Sequence, residues 1–232
     1  MSLLLISSSL VHGYGFLDHA EPEIHRLLEG VGSVAFVPFA QADHDAYTAR
    51  VRERLSAMGF DVTQVRARAD VEHAEALFIG GGNSFRLLKA MYERDLLGVI
   101  RARVTGGMPY IGSSAGTNVA TPSIRTTNDM PIVYPPSFDA LGLVPFQINP
   151  HYLDADPAST HKGETREERI REFHEENDTP VVGLREGSML AIRGDEVRLV
   201  GSKPARIFRQ GQEPVEVETG TVIDTVLLRP NS

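Results

Sequence analysis

The sequence predicts an α/β fold: a mostly parallel twisted sheet flanked by helices, with a short antiparallel edge near the C-terminus. Two observations carry this. Apolar runs of strand length alternate with segments of helical period over the first 120 residues, which is the pattern of βαβ units. Two glycine-rich turns, Gly80-Gly81-Gly82-Asn83-Ser84 and Gly112-Ser113-Ser114-Ala115-Gly116, each follow such a run directly. Ligand sites of open parallel sheets lie outside the carboxyl ends of the strands, so both turns are expected on one functional edge.

The elements follow in order. Leu3–Ile6 is a short apolar run that reads as a buried strand leading into Ser7-Ser8-Ser9. His19–Glu29 has helical spacing, with Ile24, Leu27 and Leu28 on one side. Ser33–Val37 is a second strand, stopped by Pro38, and Asp45–Met58 is a helix ended by Gly59. Asp61–Val65 and Ala76–Ile79 are the third and fourth strands. Phe85–Arg103 is expected as one helix, with Leu87, Leu88, Met91, Leu96 and Ile100 near helical period. Pro109–Ile111 is the fifth strand, and a helix begins within Ala115–Ala120.

The second half is less regular. Residues 121–160, rich in Pro, Asn and Asp, read as long loops around a strand at Phe146–Ile148, and loops of that length are usually functional or disordered. Glu164–Glu176 is a charged helix. Val181–Leu184, Met189–Arg193, Val197–Val200 and Arg206–Phe208 are short strands, and Val215–Val217 with Thr221–Leu228 completes an antiparallel edge. With no internal repeat and no Gly/Ser or Pro linker, residues 1–232 are expected to form a single domain.

Composition narrows the function. A hydrophobic content of 41% in 232 residues supports a sizeable core. The net charge is −8 with no Lys/Arg block, which argues against nucleic acid as a partner. The absence of cysteine removes disulfides, thiolate catalysis and Cys-based zinc sites, and fits a cytoplasmic protein. The N-terminal apolar run is too short for a signal peptide, and no stretch approaches the roughly 20 apolar residues that cross a bilayer. No cofactor, metal or membrane partner is expected.

Gly112-Ser113-Ser114-Ala115-Gly116 is a G-x-S-x-G pattern. Between a strand and a helix, such a turn lifts its middle serine, Ser114, out of the sheet as an exposed nucleophile; elsewhere it is a Gly/Ser loop. A serine hydroxyl needs a base within hydrogen-bond reach. Of the eight histidines, His12, His19, His25, His44, His73 and His174 sit in loops or on polar helix faces and read as surface residues. His151 follows Asn149-Pro150 at the end of an apolar run, where a base can meet Ser114; His161 is the second choice. Two carboxylates qualify as the acid that orients the base, Asp129 and Glu186, and position alone does not rank them. For the oxyanion, one N–H is expected from Ala115 and a second from the first glycine turn, at Gly82. That turn lacks the features of a Walker A loop and of the Rossmann fingerprint.

Several strings then resemble one family across most of the chain: Phe36-Val37-Pro38-Phe39-Ala40, Gly80-Gly81-Gly82-Asn83, Gly112-Ser113-Ser114-Ala115-Gly116, the segment Ile124-Arg125-Thr126-Thr127-Asn128-Asp129-Met130-Pro131-Ile132-Val133, Gln147-Ile148-Asn149-Pro150-His151 and His161-Lys162-Gly163-Glu164-Thr165-Arg166. Together they resemble the peptidase E family of α-aspartyl dipeptidases. The resemblance implies a fold like the class I glutamine amidotransferases and a serine peptidase that cleaves Asp-X dipeptides. It implies Ser114 as nucleophile and His151 as base. Asp129 and Glu186 both match acidic positions of the family, and Asp129 stands first because its string is the closer match. The position before the nucleophile is often Trp in this family and here is Ser113, a smaller residue that reshapes the pocket.

An N-terminal aspartate presents a carboxylate and an ammonium. Arg166 is the first candidate for the carboxylate and Arg125 the second, since guanidinium forks match carboxylates. Glu164 is the candidate for the ammonium, and Asn83 of the first turn joins the substrate-binding group. A homodimer is an open expectation. The alternatives are a cyanophycinase-like hydrolase of β-aspartyl links and a non-catalytic small-molecule binding module.

Overall fold

A computed structural model describes residues 1–155 and 163–230. In chain order the elements are β1 (Ser2–Ile6), α1 (Glu21–Leu27), β2 (Ser33–Val37), α2 (His44–Ala57), β3 (Asp61–Gln64), α3 (Arg68–Glu72), β4 (Ala76–Ile79), α4 (Ser84–Glu93), α5 (Leu96–Thr105), β5 (Tyr110–Ser113), α6 (Ala115–Asn118), β6 (Gln147–Tyr152), α7 (Arg166–Glu176), β7 (Val181–Arg185), β8 (Ser188–Arg193), β9 (Glu196–Gly201), β10 (Ala205–Phe208) and β11 (Val215–Val217).

The main sheet has the order β3-β2-β4-β5-β1-β8-β9. Its first five strands are parallel, and β8 and β9 add an antiparallel edge beside β1. The inner parallel strands β2, β4, β5 and β1 are buried nearly throughout because helices cover both faces, whereas the edge strand β3 is more polar. Alternation along each strand sorts the faces. Leu4, Ile6, Val34, Phe36 and Phe78 pack with Ile24 of α1 and with Val51 and Leu55 of α2. Leu3, Leu5, Val37, Leu77 and Ile79 pack with Leu87, Leu88 and Met91 of α4 and Leu96 and Ile100 of α5.

Four further strands form a separate sheet, β11-β10-β7-β6, in which β6 and β7 are parallel and the other pairs antiparallel. The α/β character and the antiparallel edge agree with the sequence reading, but that reading did not separate this second sheet. After α7 the short strands follow one another through turns rather than helices, so periodicity does not say which strand pairs with which. The second sheet shares the α4–α5 core through Ile148, Val182, Leu184 and Ile207.

Local chemistry sets the helix ends. Asp43 caps α2 by accepting from Ala46 N at 2.9 Å, and Asn83 caps α4 by accepting from Arg86 N at 3.0 Å. Thr165 and Glu168 form a reciprocal capping box at α7, with bonds of 2.6 and 3.1 Å. The expected single helix over Phe85–Arg103 is two helices. Asp95 breaks it in a left-handed conformation, φ +51°, which Asp tolerates better than most residues. The five-residue step from Met91 to Leu96 in the apolar pattern marks that break. Thr221–Leu228 forms a single bridge, Arg198 to Val222, and a 3₁₀ turn at Thr225–Leu228 rather than a strand. No helix among the described residues is long and apolar enough to cross a membrane.

Candidate active site

Ser114 sits between β5 and α6 at φ +51°, ψ −109°, a sparsely populated conformation for a residue with a side chain. The turn around it is too tight for any Cβ at its glycines. One at Gly112 would lie 2.5 Å from Gly116 O, and one at Gly116 would lie 2.0 Å from Ile79 O. Buried hydrogen bonds lock the turn. Ser114 N donates to Ile6 O at 3.0 Å, Tyr110 Oη donates to Gly116 O at 2.6 Å, and Thr117 Oγ1 lies 2.7 Å from Ile6 O and 2.8 Å from Gly112 O. The strain at Ser114 persists because its surroundings leave it no alternative.

His151 arrives from the second sheet. The β6–β7 register shifts between Pro150 and Tyr152, and His151 occupies the irregularity at φ +54°. Such bulges re-aim a side chain. Here Nε2 stands 2.8 Å from Ser114 Oγ and Nδ1 stands 2.7 Å from Glu186 Oε1. Glu186 lies in the connection from β7 to β8, where the chain passes from the second sheet to the main sheet. A carboxylate can only accept, so Nδ1 carries the proton and Nε2 is left as acceptor for the serine hydroxyl. The Glu186 side chain is half-exposed; it borders a cleft of about 530 Å³ that Tyr152, Leu153 and Lys203 also line.

Asp129, the carboxylate ranked first from the sequence, stands at the start of α4. Its Oδ2 accepts from Ser84 N at 2.7 Å and from Thr127 Oγ1 at 3.1 Å, so it serves the first turn of α4 instead of the imidazole. The cause is the path of its segment. Thr126 Oγ1 bonds Ile148 O at 2.8 Å, Asn128 Nδ2 bonds Pro150 O at 2.7 Å, and Asn149 Nδ2 bonds Thr126 O at 2.8 Å. The Ile124–Val133 string thus braces β6 and delivers Asp129 to the start of α4.

The first glycine turn meets the serine turn, as both follow parallel strands. A Cβ on Gly81 would come 3.0 Å from Ser114 Cβ, and one on Gly82, at φ +140°, would come 2.5 Å from Ala40 O. Gly81 N donates to Tyr47 Oη at 2.8 Å, and Asn83 N to Ala40 O at 2.9 Å. The N–H groups of Gly82 and Ala115 have no partner among the described residues. Tyr47 is a residue the sequence reading missed, because nothing in the α2 pattern distinguishes it from a core aromatic. It is almost fully buried, packs edge-on against Phe36 at 5.0 Å, and burial pushes its hydroxyl pKa up to about 12.

The substrate-binding candidates divide. Asn83 Oδ1 caps α4, and its Nδ2 donates to Met130 O at 2.8 Å, so each side of its amide makes one bond within the protein. Glu164 pairs with Arg169 at 3.4 Å. Arg125 is exposed. Arg166 opens α7 partly buried and has no ion-pair partner among the described residues; burial, then the neighbouring Arg169, lower its pKa. Ser113 is fully buried, so the second hydroxyl lies in the core rather than on the open side of the turn. His161 lies outside the described residues.

The comparisons agree with this architecture. The model of peptidase family S51 matches residues 3–200. A Streptomyces coelicolor protein named peptidase E is 57% identical over 98% of this chain and 95% of its own length. A Drosophila melanogaster protein named "Probable alpha-aspartyl dipeptidase" is 52% identical over 90% of each. The crystal structure of a peptidase from an acI-B1 Actinobacterium superposes with a TM-score of 0.69, at 17% identity, over 96% of each chain, and so shares the fold.

Proposed function

The chain belongs to peptidase family S51 and is a serine-type peptidase, and from that premise we propose that it hydrolyses the bond after an N-terminal aspartate in Asp-X dipeptides through an acyl-enzyme on Ser114. The observation that carries this reading is the relay from Ser114 Oγ to His151 Nε2, 2.8 Å, and from His151 Nδ1 to Glu186, 2.7 Å. In the first half-reaction Oγ attacks the scissile carbonyl carbon and Nε2 takes the hydroxyl proton. The tetrahedral intermediate collapses as Nε2 returns that proton to the leaving amine, which frees X and leaves an aspartyl ester on Ser114. Water then attacks the ester with Nε2 as base, and aspartate departs as Ser114 regains its proton. Glu186 stays ionised throughout and stabilises the imidazolium. The N–H groups of Ala115 and Gly82 are the donors for the oxyanion, a contribution of about 3–4 kcal/mol per donor in comparable sites.

Arg166 is the receptor for the substrate's side-chain carboxylate. Arg166 is partly buried with no anion paired to it among the described residues, and such a guanidinium gains more from a bound carboxylate than an exposed one does, which favours it over Arg125. Glu164 is the ammonium's partner, and its pair with Arg169 must open for that.

The test is a panel of Asp-Leu, isoAsp-Leu and Ala-Leu with the parent protein and Ser114→Ala. Free aspartate from Asp-Leu alone, lost in Ser114→Ala, is the expected result. Full activity of Ser114→Ala overturns the serine mechanism, and preference for isoAsp-Leu replaces the specificity with a β-aspartyl one.

A further inference from the structure

We propose that Ser7 is the positioning residue that holds the base and the acid of this site in one frame. It follows β1 directly and is fully buried. Its Oγ donates to Leu184 O at 2.7 Å and accepts from His151 N at 2.9 Å, while its own N–H donates to Ser188 O at 3.1 Å. Leu184 and Ser188 stand two residues before and two residues after Glu186. One residue of the main sheet therefore grips both sides of the Glu186 connection and the backbone of His151. The preceding residue completes the set, because Ile6 O accepts from Ser114 N at 3.0 Å.

The need for such a clamp follows from the backbone. His151 leaves the β6–β7 ladder at the register shift, with φ +54°. A non-glycine residue there is strained and persists only where the surroundings fix it. Its N–H needs a partner other than the ladder, since buried amides are almost always paired. A serine hydroxyl is suited to this because it donates once and accepts at the same time. The next residue does not share the role: Ser8 Oγ bonds locally to Leu10 O at 2.6 Å.

The inference rests on the relay reading above, and the experiment separates the two. Ser7→Ala keeps the backbone bond to Ser188 and removes both side-chain bonds. The expected result is a fall in kcat on Asp-Leu of about 10-fold to 100-fold with KM within about threefold, since ångström-scale misplacement of a catalytic group costs that much. The low-field proton resonance of His151 Nδ1–H should broaden or disappear in the same variant. A kcat per folded molecule within about threefold of the parent, the folded fraction being read by circular dichroism, overturns the proposal. If Ser7→Ala does not fold, Ser7→Cys, which keeps the volume and weakens both bonds, is judged by the same readouts. Ser114→Ala run alongside distinguishes the failures: an inactive Ser114→Ala with an unimpaired Ser7→Ala sinks only the role of Ser7, whereas an active Ser114→Ala sinks the relay itself.

Discussion

His151 Nε2 reaches to 2.8 Å from Ser114 Oγ although the two residues belong to different sheets, Ser114 at the end of β5 and His151 at the irregularity of β6. The pair exists only because the C-terminal end of β5, inside the main sheet, and the edge strand β6 of the second sheet converge. Each residue is held at positive φ to make the contact.

Exchange of the two carboxylates separates orientation of the base from helix capping. Glu186→Gln should lower kcat by about 10²–10⁴, because an amide cannot hold the imidazole in the same tautomer. Asp129→Asn should leave kcat within a few-fold and reduce stability by about 0.5–2 kcal/mol, through a weaker bond to Ser84 N at the start of α4. Steady-state kinetics and urea unfolding of the two variants check this.

A methyl group at Gly81 would lie 3.0 Å from Ser114 Cβ and 3.2 Å from Ser113 O. Gly81→Ala is expected to push the two glycine turns apart, destabilising the protein by about 1–3 kcal/mol and depressing kcat more than KM. Thermal unfolding with kinetics on Asp-Leu measures both effects.

Tyr47 has an alkaline signature. Its folded pKa of about 12 stands above the ordinary 10.0, so the unfolded chain releases this proton first as pH rises. The stability it contributes is fully present below pH 10 and is lost as pH rises toward 12, in total on the order of 2–3 kcal/mol. Tyr47→Phe should flatten that part of the pH–stability curve. It also strands Gly81 N–H, at a cost of about 1–3 kcal/mol at neutral pH.

His174 sets an acid limit. Burial lowers its pKa below 6.5, outweighing the bond from its Nε2 to Thr179 O at 3.0 Å, which favours the charged ring. The unfolded chain binds the proton more readily, so this contribution is present above about pH 6.5 and declines as pH falls through the lowered value. His174→Gln should blunt the loss of stability in mild acid, read as unfolding midpoints across pH 4 to 8.

Arg166→Ala should raise KM for Asp-Leu by about 10-fold to 100-fold with little change in any residual turnover of Ala-Leu, the signature of a lost carboxylate contact. Equal effects on both substrates would assign Arg166 to α7 stability instead.

Much of the site was legible in the order of residues. The G-x-S-x-G run after a strand marked Ser114, and Asn149-Pro150-His151 after an apolar run marked His151, because strand ends are readable from apolar spacing. The choice between Asp129 and Glu186 was not. A carboxylate beside a strand looks the same in sequence whether it faces an imidazole or a helix amide, and the string around Asp129 turned out to brace β6. Ser7 and Tyr47 escaped for a related reason: their roles consist of bonds to residues 144 and 34 positions away, and no local pattern encodes those.

The sequence by itself determined the parallel strands of the main sheet, most of the helices beside them and the strained serine turn, since these follow from periodicity, capping residues and glycines that admit no side chain. Only the tertiary structure decided the pairing of the C-terminal strands into a second sheet and which of the two carboxylates stands beside His151 Nδ1. Both depend on which edges meet in space, and that is fixed by the shared core and by the hydrogen bonds that cross between the sheets.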